Sequence, residues 1–408
     1  MQRVRVQAFV AAPFCSVTLD RWKTRLVDIP KPLRICFLTR QLNEGGAERQ
    51  LLELAKGLDK SQFEATILTF YQGGGLSGEA KSIPGVRFIE LEKTSRWQVA
   101  RFFIRLLFAL RKLRPKVLHG YLGVSNLLCV FLKLFLPGTR IVWGVRSSNM
   151  DLSRYDWLAR LTFRMERKLA RFADLIICNS EAGRNYYTAQ GFPEGKTVVI
   201  PNGIDCERFT PDANVRQRIR EEWRIGEDEI LIGSVARLDP MKDHATFLAA
   251  AAKLSQTCKK ARFICVGDGP TQYRQTLQNL TRQLGLESRV LWTGKRNDMP
   301  HVYNALDLLI SSSSFGEGFS NTIAEAMACG VPCVVTRVGD SAEVVGETGL
   351  AVPPRDPEAL ANACLKLLGK DEDHRQRMGE QARACIVSRF SRDRLVQSTA
   401  SALKSLVV

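Results

Sequence analysis

The chain has 408 residues, more than one hydrophobic core usually covers, so we expect at least two domains. Apolar residues make up 45% and charged residues 25% of the chain, which is ordinary for a globular protein and argues against long disordered tracts. The formal net charge of +17 points to an anionic partner.

The positive charge is concentrated in the first half of the chain. Residues 1–205 contain 32 Lys and Arg against 17 Asp and Glu, whereas the remainder is nearly balanced. Residues 93–150 contain eleven Lys and Arg and no acidic residue. Because a one-sided field attracts a polyanion, nucleic acid and an anionic membrane surface are the two candidates.

Cysteine usage and hydropathy suggest the compartment. The eleven cysteines are scattered without a CxxC pair, which is typical of reduced thiols in a cytoplasmic protein. Residues 1–32 show no period and no convincing targeting pattern, so we expect a poorly ordered extension. The most apolar stretch, 127–136, is too short to cross a membrane and contains Lys133.

Strands and helices alternate from residue 33 onward. A strand at 33–40 is followed by a glycine-containing turn at 43–46 and a helix, the usual opening of a nucleotide-binding α/β unit. Further strands are predicted at 63–70, 86–91, 116–121, 140–145, 174–180 and 197–204, with helices at 97–113, 124–135 and 153–172.

The alternation restarts after a linker near residues 203–215. Five more strands are predicted at 230–238, 261–269, 289–294, 306–313 and 331–337, and helices at 378–406. Two such sets predict an α/β fold with two parallel-sheet domains. Parallel sheets bind ligands at the carboxyl ends of their strands, so the expected site is a cleft between the domains.

The most informative segment is residues 311–336. Glu317 and Glu325 are separated by seven residues, around a turn with Gly316 and Gly318 that leads into a helix of small residues. Glycines let a backbone approach a ligand closely, and the N–H groups that open a helix suit an anion. Carboxylates accept hydrogen bonds from sugar and ribose hydroxyls. The alternative is an ordinary strand–helix junction with two surface glutamates.

This segment resembles the E-x7-E motif of retaining glycosyltransferases with the GT-B architecture, in detail glycosyltransferase family 4. The resemblance extends from about Leu33 over nearly the whole chain, through GGAER (45–49), RSSN (146–149), IPNGID (200–205), ARLDPMKDH (236–244), VGDGP (266–270) and WTGKRNDMP (292–300). It implies two Rossmann-like domains facing each other across a deep cleft. The acceptor-binding domain would be 33–205, the nucleotide-sugar-binding domain 206–385, and a C-terminal helix, 386–408, would cross back to the first domain.

The resemblance also implies roles for individual residues. Arg237, Lys242 and Glu317 would be catalytic, since two fixed cations stabilise a departing diphosphate without a metal. Glu325 would hold the ribose hydroxyls and Glu317 those of the donor sugar. The remaining implied donor-binding residues are Gly45, Gly46, Gly267, Asp268, Gly269, Lys295 and the backbone of Gly318, Phe319, Ser320 and Asn321.

No cofactor or metal is expected. VGDGP lacks the spacing of a dinucleotide fingerprint, and no Asp-x-Asp motif of metal-dependent transferases is present. The nucleotide sugar is therefore predicted as a substrate, used without a metal.

Three residues of the first half are candidates for the acceptor or the cleft. His119 and Tyr121 end one predicted strand, and Arg146 follows another. His119 is predicted to point toward the cleft, with a structural histidine as the alternative, and Arg146 is predicted to contact the acceptor or a phosphate.

The helix predicted at 97–113 is a candidate membrane surface. Phe103, Leu106, Leu107, Leu110 and Leu113 form an apolar stripe, and the predicted membrane-facing residues are Trp97, Arg101, Phe102, Arg105 and Lys112. The alternative is a core-packed helix with a solvated basic face. The acid-free run to residue 150 favours the membrane.

These observations predict a retaining hexosyltransferase. It would use a UDP- or GDP-sugar and a hydroxyl of a membrane-associated glycan or lipid-linked acceptor, in cell-surface polysaccharide biosynthesis at the inner face of the cytoplasmic membrane. The alternatives are a sugar-nucleotide epimerase with the same fold and a basic nucleic-acid-binding protein. We disfavour nucleic acid as a partner because no aromatic-interleaved stacking motif is present.

Overall fold

The computed structural model describes residues 31–95, 98–148 and 157–407. All elements below belong to the unit Pro32–Val408. The extension predicted at 1–32 lies, up to residue 30, outside the described residues.

A seven-stranded parallel sheet organises the first half of the unit. Its order is β3-β2-β1-β4-β5-β6-β7. The strands are β1 (Leu33–Thr39), β2 (Phe63–Thr69), β3 (Val86–Glu90), β4 (Val117–Tyr121), β5 (Arg140–Val145), β6 (Leu175–Cys178) and β7 (Thr197–Val199). All seven were predicted, with ends that differ by a few residues.

Helices cover both faces of this sheet because its strands are apolar on both sides. Ile35 and Phe37 of β1 face one core and Cys36 and Leu38 face the other. The helices are α1 (Gly46–Gly57), α2 (Ser77–Lys81), α3 (Val99–Leu113), α4 (Gly123–Lys133), α5 (Trp157–Leu169) and α6 (Glu181–Ala189). Helices α3 to α6 pack on the Cys36 face, and α1 and α2 on the Phe37 face.

A six-stranded parallel sheet organises the second half, in the order β10-β9-β8-β11-β12-β13. Its strands are β8 (Ile230–Val235), β9 (Ala261–Val266), β10 (Val290–Gly294), β11 (Leu308–Ser311), β12 (Cys333–Thr336) and β13 (Gly349–Val352). The sequence predicted five of them. It missed β13 because four residues between a glycine and a proline carry little periodicity.

The second sheet is also covered on both faces. Its helices are α7 (Ala213–Glu222), α8 (His244–Thr257), α9 (Thr271–Gln283), α10 (Met299–Ala305), α11 (Asn321–Ala328), α12 (Ser341–Val345), α13 (Pro357–Leu368) and α14 (Glu372–Arg389). Helices α8, α9 and α13 share one core, and α7, α10, α11, α12 and α14 share the other.

The chain crosses between the two sheets twice, side by side. Ile204, after β7, forms a parallel bridge with Ser391, which precedes α15 (Arg392–Ser405). Leu395 and Leu403 of α15 pack into the same core as Leu51 of α1. The predicted return of the C-terminal helix to the first domain is confirmed.

Both sheets reverse their winding at a central pair of strands, β1 and β4 in one and β8 and β11 in the other. At such a switch point the loops after the strands diverge and leave a crevice for a ligand. The α/β class with two Rossmann-like sheets is confirmed. The boundaries at 205/206 and 385/386 stay predictions.

Candidate functional site

Glu317 and Lys242 lie in the loops that follow two adjacent strands, β11 and β8, and their side chains contact each other. Lys242 ends a short 3-10 turn, Pro240–Lys242, after β8, and Glu317 lies in the loop between β11 and α11. The Lys242 ammonium forms an ion pair with Oε1 of Glu317. The hydroxyl of Ser313 donates to the same oxygen at 2.9 Å. Both charged side chains are largely buried, so they are held in place rather than solvated.

Glu325 lies just over one turn into α11, and a tyrosine hydroxyl holds its carboxyl group in place. The hydroxyl of Tyr303, a fully buried residue of α10, donates to Oε2 of Glu325 at 2.8 Å. Burial raises the pKa of the Glu325 carboxyl, and the Tyr303 hydrogen bond and the Arg49 guanidinium offset part of the rise. The second carboxyl oxygen has no hydrogen-bond partner among the described residues and can accept from a ligand.

The turn that holds Glu317 touches the first domain directly. The hydroxyl of Ser148 donates to the carbonyl of Glu317. A Cβ added to Gly318 would lie 2.5 Å from Oδ1 of Asn179 and 3.0 Å from Oγ of Ser180. Glycine is therefore required at 318 because the two domains meet there.

In the predicted donor-binding segment, 318–321, two side chains are buried, so the segment can bind a ligand mainly through its backbone. Phe319 is buried, with its ring centroid 5.2 Å from that of Phe390. Ser320 is the N-cap residue of α11 and is 3% exposed. The N–H groups at the start of α11 are the groups that suit a phosphate or a sugar oxygen.

Asn321 links three parts of the chain through a row of hydrogen bonds. Arg146 donates to Oη of Tyr121 at 3.3 Å and to Oδ1 of Asn202 at 3.1 Å. Asn202 donates to Oδ1 of Asn321 at 2.7 Å, and Asn321 donates weakly to the carbonyl of Gly46 at 3.5 Å. The structure thus brings the predicted residues Tyr121, Arg146, Asn321 and Gly46 together.

His119 does not open onto the cleft as expected. It is fully buried, with ring centroids 5.6 Å from Phe37 and 4.7 Å from Tyr121. Neither ring nitrogen has a hydrogen-bond partner among the described residues. Burial and the nearby Arg146 guanidinium hold the pKa of His119 well below its usual value. His119 lies two residues before the end of β4, on the same face as Tyr121 and inside the sheet's core, which favours the structural alternative.

Arg237 lies on the exposed loop after β8. It forms an ion pair with Asp239 at 3.0 Å, and its side chain is 68% exposed. Across the cleft, burial raises the pKa of the Glu48 carboxyl in α1, and the charge of Arg237 partly offsets that rise. The charge of Arg237 thus acts across the cleft, on α1 of the first domain.

Gly267, Asp268 and Gly269, which the resemblance implies as donor-binding residues, lie along the same rim as Arg237. Added Cβ atoms at Gly267 and Gly269 would lie 1.9 Å from the carbonyl oxygen of Ala236 and 2.3 Å from that of Leu238. These glycines allow their loop to pack closely against the loop of Arg237. Asp268 accepts from the N–H of Gly269 at 2.7 Å and pairs with Arg274 at 3.3 Å.

Sequence reasoning missed several acids and amides at the contact between the domains and at the crossing beside it. Glu44 forms an ion pair with Lys295 across the cleft. Asp340 accepts from the N–H groups of Glu181 and Ala182 at 2.7 and 2.8 Å. Gln50 bonds both the N–H and the carbonyl of Gly203, at 2.7 and 2.9 Å. The GGAER motif was the available signal for this rim, but roles were assigned only to its glycines.

The predicted membrane face on α3 needs one correction. Phe102 is 4% exposed and packs on Phe70, with ring centroids 4.9 Å apart, so it belongs to the core. Arg101, Arg105 and Lys112 are exposed, as predicted. The apolar residues on the exposed side are Val99, Ile104 and Phe108, and Phe108 is 68% exposed. Trp97 lies outside the described residues.

The described residues contain neither a metal-binding cluster of side chains nor a membrane-spanning helix. In 31–95, 98–148 and 157–407, no group of three or more His, Cys, Asp and Glu side chains could hold a metal ion. No helix in those ranges is long and apolar enough to span a bilayer.

Known proteins are similar to this chain in sequence and architecture. The family described as "Glycosyltransferase Family 4" matches residues 44–208, and "Glycosyl transferases group 1" matches residues 229–370. A structure of Anabaena HepE in complex with UDP and glucose superposes with a TM-score of 0.81 at 24% identity, covering 91% of this chain and 100% of that one.

Two curated relatives extend the comparison. The N-acetyl-alpha-D-glucosaminyl L-malate synthase of Bacillus anthracis is 29% identical over 69% of this chain and 72% of its own length. A GDP-mannose-dependent alpha-(1-6)-phosphatidylinositol monomannoside mannosyltransferase of Mycobacterium tuberculosis (strain CDC 1551 / Oshkosh) is 27% identical over 58% of this chain and 63% of its own length.

The two facing Rossmann-like sheets, with the paired glutamates on the second, define a glycosyltransferase of the GT-B fold. Within that class, the chain belongs to glycosyltransferase family 4.

Proposed function

We propose that the protein transfers a hexosyl unit from a UDP- or GDP-sugar to a hydroxyl of a membrane-associated glycan or lipid-linked acceptor. The transfer retains the anomeric configuration, needs no metal, and serves cell-surface polysaccharide synthesis.

The observation that carries this proposal is the joint placement of Lys242, Glu317 and Glu325. The largely buried Lys242 ammonium would stabilise negative charge on a departing diphosphate, and the Glu317 carboxylate beside it would accept hydrogen bonds from the donor sugar. Glu325, just over one turn into α11, would accept from ribose hydroxyls. The N–H groups of α11 open between these two carboxylates, where a phosphate is stabilised by the helix dipole.

The named substrates of similar proteins agree with this proposal. The mycobacterial mannosyltransferase is GDP-mannose-dependent and is named for a phosphatidylinositol acceptor. The Anabaena structure contains UDP and glucose. A nucleotide-sugar donor and a lipid-linked acceptor are therefore within the range of this family.

The test is a transfer assay with nucleotide sugars and a bacterial membrane lipid extract. We expect one UDP- or GDP-sugar to give a lipid-soluble glycoside in which NMR shows the donor's anomeric configuration, with the rate unchanged in EDTA. Glu325→Ala should lower the rate at least a hundredfold, since a contact to the donor is lost. Glu347→Ala, an exposed glutamate of the same domain, is the control.

Three outcomes would contradict the proposal. Inversion at the anomeric carbon or loss of the rate in EDTA would refute the mechanism. Isomerisation of the donor sugar without release of nucleotide would support the epimerase.

We further propose that α3 rests on an anionic bilayer at the inner face of the cytoplasmic membrane. Its exposed side combines the apolar Ile104 and Phe108 with Arg101, Arg105 and Lys112, and carries no acid. Apolar side chains flanked by cations match a surface that is apolar inside and negative at its head groups. Leu134 and Phe135, just after α4, are also exposed, and Phe135 contacts Phe103 of α3. The apolar surface thus continues beyond one helix.

Vesicle sedimentation tests this contact. Ile104→Ser with Phe108→Ser should weaken binding to phosphatidylglycerol vesicles at least tenfold, because two apolar side chains no longer enter the bilayer. Val387→Ser removes an exposed apolar side chain of α14, which packs on the second sheet, and should have no effect. Unchanged binding of the double variant would refute the proposed surface.

A further inference from the structure

A basic groove opens at the edge of the first sheet, beside α3. It has a volume of 280 Å³ and is lined by the loop after β3 and the first turns of α3. Its cations are Lys93, Arg101 and Arg105, and its polar side chains include Gln72, Thr94 and Gln98. This volume is near the lower end of the range of about 300–1,000 Å³ found for small-molecule sites.

The single acid of the groove is already engaged. Gln72 donates to Oε1 of Glu92 at 3.1 Å, and Arg105 lies 3.7 Å from its other oxygen. Arg105 also contacts the carbonyl of Leu91 at 3.4 Å. The groove therefore keeps an excess of positive charge after this pairing.

The other two cations are free to meet a ligand. Lys93 is half-buried, with its ammonium 5.0 Å from the ring centroid of Phe102 and 5.8 Å from that of Tyr71. Those rings fix the stem of the lysine without neutralising its charge. Arg101 forms no ion pair within the described part of the chain. Thr94 donates to Oε1 of Gln98 at 2.8 Å, so the Gln98 amide N–H groups, rather than the Thr94 hydroxyl, remain as neutral donors beside the two cations. Two cations beside an amide donor suit a phosphate or diphosphate.

The groove lies on the same rim as the cleft. It follows β3, two strands from β1, whose following loop holds Gly45 and Gly46. Neighbouring strands lie about 4.8 Å apart, so the ends of β3 and β1 are separated by roughly 10 Å. Gln41 donates to the carbonyl of Gln72 at 3.0 Å, so the rim is continuous between these two points.

We propose that this groove binds the phosphate or diphosphate of a lipid-linked acceptor whose reacting hydroxyl lies about 10 Å away, in the cleft. The acceptor is thereby assigned as a phosphate ester rather than a neutral glycan. This inference rests on the proposed function and deepens it. The exposed side of α3, next to the groove, keeps the lipid portion near the bilayer.

Calorimetric titration with geranyl diphosphate tests the groove, with saturating UDP and GDP present to fill the donor site. We expect the wild-type protein to bind the diphosphate and not the neutral alcohol geraniol. Lys93→Gln with Arg101→Gln should weaken binding at least tenfold, since two charge-assisted contacts are lost. Arg111→Gln with Lys116→Gln removes two exposed cations outside the groove and should change the affinity less than twofold.

Four results would overturn the inference: no diphosphate binding, equal binding of geraniol, equal weakening in both variants, or displacement of the diphosphate by phosphatidylglycerol vesicles. The last would assign the groove to bilayer lipid instead of the acceptor. The titration requires no turnover, so its failure is distinct from a failure of the proposed function, in which no nucleotide sugar is used.

Discussion

At the scale of residues, the site depends on side chains that hold the predicted carboxylates in place. Ser313 fixes Glu317, and Tyr303 fixes Glu325. Each partner is a hydrogen-bond donor, so each stabilises the ionised carboxylate that a sugar hydroxyl requires. The precision of the donor site therefore depends on neighbours that do not themselves contact the donor.

Tyr303→Phe tests this support. The ring keeps its packing, but Glu325 loses a donor, so its ionised form is less stable and its already raised pKa rises further. Activity requires the carboxylate and is lost as the pH falls through that pKa. The acid limb of the pH–rate profile should therefore move to higher pH, with a donor KM raised about tenfold. A profile identical to that of the wild type would show that Tyr303 has no positioning role.

The residue scale also shows what the sequence could predict. Glu317, Glu325, Arg237 and Lys242 were found because their spacing is a motif. Tyr303 lies 22 positions from Glu325, and only the packing of α10 against α11 brings them together. His119 was placed at the cleft because it lies near the end of a predicted strand, yet it is two residues short of the end of β4 and is buried against Phe37 and Tyr121.

At the scale of elements, the two domains contact each other through helix ends and loops. Asp340, which precedes α12, accepts from the first two N–H groups of α6 in the other domain. These groups have no partner within a helix, and a carboxylate there is also favoured by the helix dipole. This contact joins the loop beside Gly318 to the first domain.

Asp340→Ala should loosen this contact without unfolding either domain. Removing such a cap costs about 1 kcal/mol, so amide exchange at Glu181 and Ala182 should accelerate about fivefold. Asp212→Ala removes a cap of α7 within the second domain and should leave those two amides unchanged. If Asp340→Ala also left them unchanged, the carboxylate would not stabilise the closed arrangement.

The elements themselves were largely predictable. Alternation of apolar strands and amphipathic helices located twelve of the thirteen strands. The exposed face of α3 was assigned with one error because Phe102 and Phe103 are adjacent. Periodicity alone does not show that Phe102, rather than Phe103, is the more deeply buried of the two.

At the scale of the whole molecule, the cleft is defined by two adjacent crossings of the chain. Ile204 pairs with Ser391, Gln50 binds Gly203, and Arg392 binds Asp205 at 2.8 Å. These contacts fix the two crossings that connect the first sheet, beside which the basic groove lies, to the second sheet, whose loops carry Glu317. The proposed acceptor and membrane surfaces both lie on the first domain, which is also the half of the chain that carries the excess positive charge.

The central claim is that Lys242, with Glu317 and Glu325, forms a nucleotide-sugar site, and calorimetric titration with UDP- and GDP-sugars tests it most directly. We predict that the wild-type protein binds one of them at a single site. Lys242→Ala should weaken that binding at least tenfold, because a buried charge-assisted contact to the diphosphate is lost. Lys253→Ala, an exposed lysine of the same domain, should bind like the wild type. Equal affinities in wild type and Lys242→Ala, or no binding of any nucleotide sugar, would contradict the claim.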